Sequence, residues 1–153
     1  MSDLDSLKPA DGMFRGNTHF FPLRIYFEDT DLAGIVYHAN YLRFMERARS
    51  DMLRAAGIDQ RAAVEAGEGV YAVAELSIRY RGSARLGDDL LVVTDVIAVR
   101  AASVIIQQRV MRGDQVLTDA SVTAAFLTPD GRPKRQPQGW VETFERLRKE
   151  GET

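Results

Sequence analysis

The chain has 153 residues, 45% of them hydrophobic, which is enough for one domain with its own core. A formal charge of −2, with 20 basic residues dispersed among 22 acidic ones, excludes a nucleic-acid footprint, and zero cysteines exclude disulfides, thiolate metal sites and a cysteine nucleophile. The opening MSDLDSLKPADG lacks the apolar stretch of a secretory signal and no apolar run approaches a membrane span, so the cytoplasm is the expected location.

Residues 1–18 mix Asp, Ser, Gly, Pro and Asn without periodicity and read as a flexible N-terminal arm. From Phe21, the residues Leu23, Ile25 and Phe27 alternate with Arg24, Tyr26 and Glu28, the period-two pattern of a strand with one buried face. An acidic turn and Gly34 follow. Tyr41, Phe44, Met45, Ala48 and Met52 then recur at helical spacing, so a helix capped by Asn40 or a neighbour runs to Gly57. A short polar helix is expected over 59–66. Strand-like stretches rich in Val, Ile and Thr follow at 70–81, 90–100, 103–112 and 115–128, joined by turns short enough to impose antiparallel pairing. PDGRPKRQPQG breaks the pattern, and Trp140, Phe144 and Leu147 then mark a short surface helix in a C-terminal tail at 131–153.

The long helix, about 25 Å at roughly 1.5 Å per residue, is the only element able to cover a curled sheet of such strands. The expected fold class is therefore α+β, one long helix wrapped by an antiparallel sheet of five or six strands. An uncovered sheet edge makes homodimerisation the natural remedy.

Several catalytic signatures are missing. There is no G-x-S-x-G elbow, P-loop or dinucleotide fingerprint, two histidines cannot form a His-rich metal site, and an EF-hand reading from Asp29 fails at Ala33 and Asn40. No cofactor or metal is expected. What remains is the cluster Glu28, Asp29 and Asp31 leading into a helix N-terminus, where free N–H groups and the dipole favour an anion. Asp31 is either a turn carboxylate or one tuned by its neighbours to attack a carbonyl or activate water. His38 is either a hydrogen-bonded turn residue or an assisting group, and Tyr37, Tyr41 and Phe44 read as core or pocket wall. Glu46 reads as a surface or inter-subunit ion pair. One carboxylate plus polarising N–H groups suits a thioester, whose thiolate leaves readily at an ordinary pKa of about 8.5. Amide or phosphoester cleavage would ask for a triad or a metal.

The string YFEDTDLAGIVYHANYLRFMERARSDMLR resembles the signature of the 4-hydroxybenzoyl-CoA thioesterase family of hotdog folds, closest to its Tol-Pal-associated acyl-CoA thioesterase (YbgC-type) branch. The resemblance implies a hotdog domain over 19–130, a dimer with a continuous sheet that often doubles to a homotetramer, and active sites at the dimer interface. It implies Asp31 as nucleophile or general base, with the backbone N–H of His38 on the thioester carbonyl. A histidine at this position marks the YbgC-type branch, where the aromatic-substrate branch has tyrosine. Gly34, Tyr37 and Tyr41 lie within the string as substrate-binding positions. At the turn between the middle strands, where aromatic-branch members can have a basic cluster, this chain departs from the pattern with Arg100 as the one clear cation, so Arg79, Arg81, Arg85 and Arg100 are either weak anchors for coenzyme phosphates or solvated surface charge. The implied activity is hydrolysis of short- to medium-chain acyl-CoA, with acyl carrier protein as an alternative thioester donor. The competing reading is a weakly catalytic or non-catalytic hotdog module that binds acyl groups and works with acyl carrier protein or cell-envelope partners.

Overall fold

The computed structural model describes residues 3–149; Met1 and Ser2 of the expected arm and residues 150–153 of the expected tail lie outside them. Six antiparallel strands form one open sheet: β1 (Met13–Arg15), β2 (Thr18–Arg24), β3 (Val70–Tyr80), β4 (Asp89–Val99), β5 (Ser103–Arg112) and β6 (Gln115–Leu127), in spatial order β1-β2-β4-β5-β6-β3. The long helix α1 (Asn40–Ala55) packs over β1, β2, β4 and β5. Its apolar stripe of Tyr41, Phe44, Met45, Ala48, Met52 and Leu53 is buried against Val92, Val96, Ile106, Val110 and Val122 of the sheet. The α+β helix-on-sheet expectation holds. No helix among the described residues is long and apolar enough to cross a membrane.

Three local departures have clear causes. Met13–Arg15, within the segment read as an arm, is a strand, because Gly16 at φ 62° and Asn17 close a tight hairpin onto β2. The first long strand starts at Thr18 and stops at Arg24 rather than running through Phe27. There Asp29 Oδ2 accepts the Tyr26 N–H at 2.9 Å, the chain turns into a short 3₁₀ segment (Phe27–Asp29), and Phe27 points outward instead of inward. α1 is capped by Ala39 without a side-chain bond, since the Asn40 amide is used elsewhere. The short helix α2 (Gln60–Glu65) has Asp59 as its N-cap, accepting from Ala62 N–H. The C-terminal helix α3 (Gln138–Leu147) docks on β4 and buries Phe144 in the main core.

β1, β2 and α1 are tied together by His19. Its ring is fully buried, with Nε2 2.7 Å from Asp51 Oδ2, and the same oxygen accepts the Gly12 N–H at 3.0 Å. Burial holds His19 below its ordinary pKa, outweighing the hydrogen bond and charge of Asp51. The unfolded chain therefore binds more protons than the folded one just below the unperturbed value. This contribution to stability is complete above about pH 6.5 and is lost as the pH falls below it. Thermal melts at about pH 7.5 and about pH 5.5 are expected to show a larger drop for the natural protein than for His19→Gln. Equal drops in both would contradict the role given to His19.

Candidate active site

The loop between β2 and α1 is built on the carbonyl of Asp29, which accepts the Tyr37 N–H at 3.0 Å and the Asn40 side-chain amide at 2.9 Å. These bonds fasten the acidic turn to the start of α1. A second set closes the loop on itself: Asp31 N–H donates to Ile35 carbonyl, Gly34 N–H donates to Asp31 carbonyl, and Thr30 bridges Val36. Gly34 has φ 82°, a left-handed conformation that a side chain would strain, so its role is to shape the turn. A third set hangs the loop on residues 84–85. Val36 N–H donates to Ala84 carbonyl, and Ile35 bridges Arg85.

The three clustered acids have different employment. Asp29 is committed to Tyr26 N–H. Asp31 is exposed in the single chain and accepts one bond, to Oδ1 from Ala33 N–H at 2.9 Å, so among the described residues Oδ2 has no partner. Glu28 is exposed. His38 is also exposed. Its ring rests against Tyr37, with centroids 4.6 Å apart, and meets the Tyr80 ring edge-on at 5.9 Å, while Tyr80 hydroxyl donates to its carbonyl at 3.0 Å. Among the described residues its backbone N–H donates to nothing, and it sits two residues before α1, at the positive end of the helix dipole. A free carboxylate oxygen and a free N–H therefore flank one loop, which is what general-base or nucleophilic attack on a polarised carbonyl needs.

The other residues singled out from sequence divide. Tyr37 is exposed beside His38. Tyr41 lies in the core at 2% exposure, packs on Phe44 and Tyr80, and accepts the Ala84 N–H at 2.9 Å on its hydroxyl; burial raises its pKa. Of the two uses open to Tyr41, core is the one it fills within the chain. Arg85 flanks the loop, Arg81 lies 3.8 Å from Asp119, and Arg79 is on the sheet face away from α1. Arg100 follows the far end of β4, whose span at roughly 3.3 Å per residue is about 35 Å, so one chain does not bring it to Asp31. Tyr80, which holds His38, was not legible in advance: an aromatic in a strand carries no mark of the loop it will meet.

A cavity of about 170 Å³ lies between the middle of α1 and the β3 side of the sheet. Glu46, Arg49 and Ser50 frame its mouth, and Tyr71, Val73, Val104, Ala124, Met52 and Phe144 are among its lining. Arg49 donates to Gln108 Oε1 at 3.1 Å, and Gln108 donates in turn to Met45 carbonyl and Thr94 hydroxyl, both at 3.0 Å. Those bonds hold Arg49 and Gln108 in place, while Met52, Leu53, Val104, Ile106 and Phe144 supply the apolar part of the lining. Glu46 sits at this mouth rather than on the Asp31 loop.

The chain matches the family model described as Thioesterase superfamily over residues 33–118. It is 42% identical over 109 residues to the acyl-CoA thioesterase YbgC of Haemophilus influenzae, covering 71% of this chain and 80% of that one. It is 36% identical over 132 residues to the acyl-CoA thioester hydrolase YbgC of Escherichia coli, covering 84% of this chain and 98% of the relative. A probable thioesterase from Bartonella henselae superposes with a TM-score of 0.74 at 32% identity, covering 78% of this chain and 99% of that one.

Proposed function

The chain belongs to the thioesterase superfamily and is a thioester hydrolase, and from that premise we propose that it cleaves short- to medium-chain acyl-CoA with Asp31 as the reacting carboxylate. The supporting observation is the unpartnered Oδ2 of Asp31 on a loop fastened to the start of α1, next to the unpartnered His38 N–H. As general base, Asp31 takes a proton from water while the water oxygen bonds to the carbonyl carbon. The resulting oxyanion lies against the His38 N–H, the carbon–sulfur bond breaks, and the thiolate leaves to be protonated. As nucleophile, Asp31 bonds to the carbonyl carbon, the carbon–sulfur bond breaks and the thiolate leaves to be protonated, and water hydrolyses the resulting mixed anhydride to free acid and the Asp31 carboxylate.

The site needs a second copy. β3 is an edge strand of 11 residues that is largely exposed, with one row of backbone groups open to pairing. Symmetric antiparallel pairing of two such edges sets the Val70 end of one strand beside the Tyr80 end of the other. Tyr80 carries His38 through its hydroxyl, and the Val70 end carries Tyr71 and Val73 at the cavity. The pairing therefore joins the Asp31 loop of one chain to the cavity of its partner. It also brings the Arg100 turn, two strands in from the edge through Ser103, Ala125 and Ala72, to within reach of coenzyme phosphates. The protein works in this reading as a cytoplasmic homodimer or homotetramer.

Steady-state hydrolysis of a panel of acyl-CoA esters, set against the same acyl groups on acyl carrier protein, tests the reading. Turnover of the coenzyme A esters with free acid as product is expected. Acyl binding without turnover on either carrier would instead favour a binding module.

A further inference from the structure

We infer that Phe144 of α3 is the end wall of the acyl pocket and sets the longest acyl chain that the protein accepts. The inference rests on the reading of the cavity as the place where the acyl group goes. The register of the sheet explains why the cavity exists. Ala124 on β6 pairs with Val73 on β3 and with Val104 on β5, and a methyl between two valines leaves a hollow in the face that α1 covers. Met52 of α1 closes the hollow from above, and Tyr71, at the start of β3, closes it toward the sheet end.

The remaining side is closed by the C-terminal helix. Phe144 is 2% exposed and meets the Tyr71 ring edge-on, with centroids 6.3 Å apart. It lies beyond residues 33–118, the span that matches the family model. The mouth framed by Glu46 and Ser50 lies on the helix, and Val73 opens toward the β3 edge where a partner's loop arrives. An acyl chain entering from that edge runs inward over Ala124 and ends against Phe144. At about 30 Å³ for a methylene, taken as similar to a water molecule, the 170 Å³ volume holds about six carbons.

Calorimetric binding of non-hydrolysable acyl-CoA thioethers of rising chain length tests this without requiring catalysis. For the natural protein, affinity should rise about fourfold per added methylene while the chain is being buried. It should stop rising near about six carbons. Phe144→Ala should move that break to longer chains by about two carbons or more, and Ala124→Leu should move it to shorter ones by at least one, each side-chain change freeing or filling a few methylene volumes. A break that stays in place in a folded Phe144→Ala protein, or affinity lowered equally at every length, would overturn the inference. If Phe144→Ala does not fold, the milder Phe144→Leu decides: a break moved to longer chains supports the wall, and an unchanged break in the folded protein refutes it. Loss of hydrolysis with length-dependent binding intact would count against the catalytic reading and leave the wall standing.

Discussion

Replacing Asp31 by Asn is expected to lower kcat/KM on acyl-CoA by about 10²–10⁴-fold, the range associated with a positioned acid or base. That is a loss of about 3–5 kcal/mol in transition-state stabilisation. The fold should not change, because Asn keeps an Oδ1 acceptor for the Ala33 N–H, and the side chain is exposed with nothing else to lose. Assaying coenzyme A release alongside a thermal melt and a measurement of oligomeric state separates chemistry from folding. A loss of only a few-fold in a well-folded protein would show that another group does the work. Glu46 at the cavity mouth is the obvious rival, and Glu46→Gln is expected to stay within about tenfold of the natural enzyme, below the usual effect of a reacting group.

Tyr41 carries the second large effect, on stability rather than on binding. Tyr41→Ala should cost about 3–5 kcal/mol for the lost ring, plus about 1–3 kcal/mol for leaving the buried Ala84 N–H unpaired. Tyr41→Phe keeps the ring against Phe44 and Tyr80 and should lose only the second amount. Because Ala84 also holds Val36, the released segment is the one from which the Asp31 loop hangs, so kcat should fall in Tyr41→Phe while KM stays near its original value. Denaturant unfolding and steady-state kinetics on the pair check this. A raised KM with unchanged stability would mean that Tyr41 touches substrate after all.

These two residues show which parts of the molecule can be read from the chain and which cannot. The spacing of Tyr41, Phe44, Met45, Ala48 and Met52 dictates a helix with one buried face, and that face is buried as the pattern requires. Four Val- and Ile-rich stretches joined by short turns leave antiparallel pairing as the only economical arrangement, and the sheet follows. Phe27 misled because period two continues through it, whereas the carboxylate of Asp29 captures the Tyr26 N–H and turns the chain out of the strand. Met13–Arg15 was missed because a three-residue strand is too short to show alternation, although Gly16-Asn17 is a recognisable turn pair.

The candidate site was legible only where it is local in sequence. Asp31, Gly34, Tyr37 and His38 share one loop, and their types and order carry the chemistry. The cavity is not local. It is assembled from α1, β3, β5, β6 and α3, and its depth comes from Ala124 lying between two valines, a consequence of strand register that no periodicity discloses. Arg100 came from the family resemblance as a cation for coenzyme phosphates, and strand length puts it and Asp31 at opposite ends of one chain, so that a shared site calls for a second copy.

Mixed dimers give the most direct test of a site shared between chains. One chain carries Asp31→Asn and the other Ala124→Phe, which fills the cavity, and the substrate is an acyl-CoA long enough to be excluded by the filled pocket. Each homodimer should be nearly inactive. Co-expressed and isolated as a heterodimer, the pair has one site with an intact Asp31 facing an intact cavity, so activity should return to about half that of the natural dimer. A heterodimer as inactive as its parents would show that Asp31 and the cavity do not act together across the interface.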